Sequence, residues 1–169
     1  MLIPSHATRA LCCNDYASLV KAGADPLSVT AWTGTTLLHN VAANIDADED
    51  LVRYVLEIPG MRNTHINTPM LGQTKMWKLR YRVARLLVRL GSKKAIMKNV
   101  SEWPMNTALS SAARNGNTAA IAVLVKEGLA DATARNARGH TALDQLVGGE
   151  DALPEIRDML GGSGGDSSV

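Results

Sequence analysis

The chain has 169 residues, of which 46% are hydrophobic and 20% charged; these are ordinary values for one soluble globular unit and exclude a wholly disordered chain. Net charge is only +2, and no stretch approaches the ~18 apolar residues of a membrane-spanning helix. The two cysteines, Cys12 and Cys13, are adjacent, which rarely suits disulfide geometry and points to a reducing compartment.

In chain order, the start Met1-Leu2-Ile3-Pro4-Ser5-His6 lacks the basic region and long apolar run of a secretion signal, so a cytoplasmic protein, or an effector delivered by another route, is expected. Thr36 opens a first helix-turn-helix unit. Leu38, Val41 and Ala42, then Leu51, Val52, Val55 and Leu56, recur at three- and four-residue spacing up to Gly60. Thr68-Pro69 predicts a second helix start, with threonine as N-cap and proline at the first helical position. The helix from about Trp77 to Leu90 carries Leu79, Val83, Leu86, Leu87 and Leu90 on a stripe expected to face inward, with Lys78, Arg82, Arg85 and Arg89 opposite. Thr107 opens the clearest unit, in which Leu109, Ala112 and Ala113 are followed by a Gly116-Asn117 break and then Ile121, Leu124 and Val125. Thr141, with Asp144 three residues on, opens the last as a short-armed capping box. The end, 161–169, is Gly/Ser-rich and is expected to be a flexible tail.

The four threonines lie 32, 39 and 34 residues apart, and a period near 33 is the mark of stacked repeats. The phrases Gly34-Thr35-Thr36-Leu37-Leu38-His39, Asn67-Thr68-Pro69-Met70, Asn106-Thr107-Ala108-Leu109 and Gly139-His140-Thr141-Ala142-Leu143 resemble the ankyrin-repeat family over roughly residues 5–160. Leu19 to Asp25 is similar to that family's helix end and turn, and so implies an N-terminal capping repeat. The second phrase departs from the pattern, with Leu71-Gly72 where the family has histidine.

The resemblance implies an all-α solenoid of four to five helix-turn-helix repeats over 1–160, with short β-hairpin fingers. It also implies a protein-binding role, as scaffold, adaptor, inhibitor or effector module, through the fingers and concave face, and a chain that is monomeric on its own. Trp32 and Trp103 each precede a capping threonine by four residues, which by the family's geometry places them on the fingers. Asn44, Arg114, Asn115 and Arg138 are expected on the same face, and His39 is expected to hydrogen-bond the backbone of neighbouring turns.

Between Ile58 and Ser101 stand ten basic residues and no acidic one. Lys78, Arg82, Arg85 and Arg89 form either a solvated outer face or a patch for an acidic protein, nucleic acid or an anionic membrane. His6, His65 and His140 have no second ligand at metal spacing, and neither a nucleophile elbow nor a phosphate loop is present, so no metal, cofactor or enzymatic activity is expected.

Overall fold

The computed structural model describes residues 22–30, 32–72, 74–91, 100, 104–148 and 154–161. Seven helices lie within them: α1 (Leu37–Ala43), α2 (Glu49–Glu57), α3 (Met61–His65), α4 (Lys75–Arg89), α5 (Ala108–Asn115), α6 (Thr118–Lys126) and α7 (Pro154–Met159), with a 3₁₀ turn at Leu143–Gln145.

Each main helix begins where a short polar side chain meets an orphan backbone N–H. The Thr36 hydroxyl accepts from the His39 N–H of α1, the Asp48 carboxylate from the Leu51 N–H of α2 at 2.9 Å, and Asn117 Oδ1 from the Ala120 N–H of α6 at 2.8 Å. Thr107 caps α5 through the Ser110 N–H at 3.3 Å. The apolar faces set in register by these caps form one core. Leu38, Ala42, Val52, Val55 and Leu56 of the first pair meet Ala108, Leu109, Ala112, Ala113, Ile121 and Leu124 of the second, all buried.

The two pairs stack directly, α1 on α5 and α2 on α6. Alanines at 42, 108, 112 and 113 let the backbones come close, and α7 closes the far side of α6 with Ile156 and Leu160. Four polar ties cross the interface. His39 Nε2 meets the Asn106 carbonyl, Asn117 Nδ2 donates to the Asn44 and Ala47 carbonyls, Arg53 Nε donates to Glu127, and the Asp131 N–H donates to Asn67 Oδ1.

This architecture corrects the solenoid expectation. The fold is all-helical, but there is no β-strand among the described residues, so the β-hairpin fingers are absent there. Among the described residues the repeats do not form a continuous row, because the second phrase opens no helix pair between the first and the third. Thr68 caps nothing: its hydroxyl donates to the Thr64 carbonyl at 2.6 Å, satisfying the end of α3, and residues 67–72 stay non-helical. The next cap is Thr74, which accepts from the Trp77 N–H to start α4. From Met70 to Met105 the chain makes an excursion. Its ends are held by two backbone bonds of 2.8 Å, Met70 N–H to the Asn106 carbonyl and Met105 N–H to the Met70 carbonyl.

On that excursion α4 is turned the other way from the expected orientation. Tyr81 and Ala84 are buried, whereas Leu79, Val83, Leu86, Leu87 and Leu90 are exposed. The helix is seated by Trp77 and Tyr81, which crowd Gly72 so closely that a Cβ there would lie 2.9 Å from each. It shares no extensive packing with another described helix. In the last unit, Thr141 and Asp144 do form the reciprocal box, with the Thr141 N–H on Asp144 Oδ2 at 2.8 Å and the Asp144 N–H on the Thr141 hydroxyl at 3.3 Å, but only a single 3₁₀ turn follows. The expected capping repeat at Leu19, the stretch 92–99 and the tail 162–169 lie outside the described residues.

Candidate binding groove

Between the exposed flanks of α1 and α5 runs an open groove of about 350 Å³. Asn40 and Ala43 line it from α1, Ser111, Arg114 and Asn115 from α5, and Thr33, Thr35, Met70 and Asn106 from the connecting segments. Its position follows from the stacking. Helix residues one turn apart share a face, so packing α1 on α5 through Leu38, Ala42, Leu109 and Ala113 leaves Asn40 and Asn115 looking outward.

His39 lies under the groove and fixes its geometry. The Thr36 N–H donates to Nδ1 at 3.3 Å, and the Thr36 hydroxyl lies 2.8 Å from the same nitrogen. Nδ1 is therefore the acceptor, which leaves the proton on Nε2 to reach the Asn106 carbonyl at 3.1 Å. Burial, opposed by that hydrogen bond, pushes the ring's pKa down to about 4, so it is neutral at ordinary pH. Asn106 is itself buried, and its side-chain oxygen has no hydrogen-bond partner among the described residues.

The six residues expected on the binding face separate. Arg114 and Asn115 line the groove, and Asn115 is oriented by donating to the Ser111 carbonyl at 2.8 Å. Trp32, one residue before the lining Thr33, is 69% exposed. Asn44 does not line the groove; its Oδ1 accepts from the Asp46 N–H and its carbonyl from Asn117, so it shapes the turn after α1. Arg138 is exposed on the turn before the 3₁₀ segment, away from the groove lining, and its N–H donates to Asn136 Oδ1. Trp103 lies outside the described residues.

Asn40 escaped the sequence reading, although its place on α1 one turn before Asn44 was available as a signal. Lys78, Arg82, Arg85 and Arg89 are all exposed on α4. Among the described residues no group of three or more His, Cys, Asp or Glu side chains is arranged to hold a metal ion, and no helix is long and apolar enough to cross a membrane. No protein-family model matches the chain, and no curated protein matches it.

Proposed function

We propose that the protein is a protein-binding module that takes an extended segment of its partner into the groove between α1 and α5. The observation that carries this reading is the lining: amides at Asn40 and Asn115 and the Arg114 guanidinium along one open channel, with the exposed Trp32 next in sequence to the lining Thr33. Amides can pair with both the N–H and the C=O of a peptide backbone, and arginine suits a carboxylate. The preferred occupant is thus an extended peptide with an acidic side chain. The resemblance to the ankyrin family, drawn over roughly residues 5–160, is carried by the threonine caps of α1 and α5.

The test is selection of binders from a library of linear peptides displayed in extended form, followed by calorimetry. Selected peptides should carry a carboxylate and lose about tenfold or more in affinity with Arg114→Ala, since a hydrogen bond to a charged group is worth about 1.5–3 kcal/mol. Binders whose affinity is untouched by Arg114→Ala and Asn40→Ala would refute the groove as the site.

A further inference from the structure

We propose that α4 is a peripheral membrane-docking helix whose exposed apolar face enters the surface of an anionic lipid bilayer. Successive residues advance by about 100° around an α-helix, so the sixteen positions from Lys75 to Leu90 can be sorted by direction. Trp77, Tyr81, Ala84 and Val88 fall in one sector, the one that is buried or half-buried. Met76, Leu79, Val83, Leu86, Leu87 and Leu90 fall in another, about 100° wide, and all six are exposed, with Leu79 at 57%, Leu86 at 56% and Leu90 at 73%. Soluble proteins rarely leave so many large aliphatic side chains contiguous and bare.

Charge and shape identify the occupant. The six cations of α4 (Lys75, Lys78, Arg80, Arg82, Arg85, Arg89) are exposed and the helix has no acidic residue. Lys75, Arg82 and Arg89 border the apolar sector on one side and Arg80 on the other, the arrangement in which long basic side chains reach lipid headgroups while neighbouring aliphatic groups sink below them. A second copy is disfavoured, since pairing the same faces would set six cations against six. Nucleic acid matches the charge but has no use for an aliphatic ridge. A protein would have to supply a long acidic groove for a convex helix, whereas a bilayer accepts a ridge of this length, about 22 Å, along its plane.

The face is separate from the groove between α1 and α5, so the two assignments stand or fall independently. The test is co-sedimentation of the full chain with phosphatidylcholine vesicles that contain either no phosphatidylserine or about one-third phosphatidylserine. Binding is expected only with the anionic lipid. It should fall at least tenfold in Leu79→Ser/Leu86→Ser and about a hundredfold or more in Arg82→Glu/Arg85→Glu/Arg89→Glu, and should be unchanged in Arg114→Ala. Both multiple variants should keep the parent's melting temperature, because every replaced side chain is exposed. The proposal is overturned by failure to bind anionic vesicles, by equal binding to neutral ones, or by binding that survives Leu79→Ser/Leu86→Ser, which would leave charge alone at work. A concentration-dependent dimer lost in Leu79→Ser/Leu86→Ser would assign the ridge to a second copy instead.

Discussion

His39 and Asn106 lie 67 residues apart in sequence, and the imidazole Nε2 of the first sits 3.1 Å from the backbone carbonyl of the second. One ring thereby ties the cap of α1 to the segment that leads into α5. The Met70 N–H reaches the same carbonyl at 2.8 Å, so three stretches of chain converge on one oxygen.

The ring's pKa sets a pH dependence with a definite sign. Its folded value of about 4 lies below the ordinary 6.5, so the folded state favours the neutral form. The contribution is fully present above pH 6.5 and is lost as pH falls from there to about 4, amounting to roughly 3 kcal/mol over the window. Denaturant melts between pH 7 and pH 4 should show this slope in the parent and a much flatter one in His39→Gln. Equal slopes would assign the acid sensitivity to other groups.

Gly34 allows a contact that no other residue permits. It has φ of 73°, and a Cβ there would lie 2.2 Å from the Leu71 carbonyl oxygen, a backbone atom that cannot swing aside. Gly34→Ala should cost about 2 kcal/mol or more, from left-handed strain plus displacement of the Leu71 strand of chain. A melt within a degree or two of the parent would mean that this contact is loose in solution.

Asn117 performs two tasks with one amide. Its oxygen caps α6 and its nitrogen bonds the Asn44 and Ala47 carbonyls at 2.6 and 3.1 Å. Asn117→Asp keeps the cap but places carboxylate oxygens against two carbonyls, so it should destabilise at least as much as Asn117→Ala, by about 2–4 kcal/mol. If aspartate is the milder change, capping outweighs the tie between the two helix pairs.

Apolar residues at similar helical spacing should differ sharply in their energetic weight. Leu124 is fully buried, and Leu124→Ala should cost about 2–5 kcal/mol, whereas Leu90→Ala on the exposed ridge should stay within about 0.5 kcal/mol of the parent. Chemical denaturation of the two variants checks the orientation of α4 directly.

Trp32 is the aromatic group closest in sequence to the groove lining. Trp32→Ala should weaken a selected peptide roughly thirtyfold with little change in melting temperature, as befits a side chain exposed in the unbound chain. Trp77→Ala should do the reverse, because that ring is half-buried and its centroid lies 5.7 Å from that of Tyr81. The opposite pattern would make Trp32 a packing residue.

Much of the body was legible because its signals are local. Thr36 and Thr107 each cap the helix that their spacing from Leu38 and Leu109 foretells, and the Gly116-Asn117 break is a true helix junction. Thr68 misled because a threonine before proline makes an equally good cap in isolation; what disqualifies it is the competing bond to Thr64, a matter of where α3 ends. The short α3, with Met61 fully buried, was missed because five residues leave too little periodicity to detect. The face of α4 was not legible at all. Its sequence offers two apolar sectors, one aliphatic and one built around Trp77 and Tyr81, and amphipathicity alone favours the larger. Burial instead selects the aromatic one. Of the groove, Arg114 and Asn115 could be placed from the cap at Thr107, but Asn106 depends on a contact with residue 39 that no local pattern encodes.

The chain leaves the stacked body at Met70 and rejoins it at Met105 through a doorway two backbone bonds wide. Both bonds are made by backbone atoms, so replacing the exposed side chains of α4 leaves that closure in place.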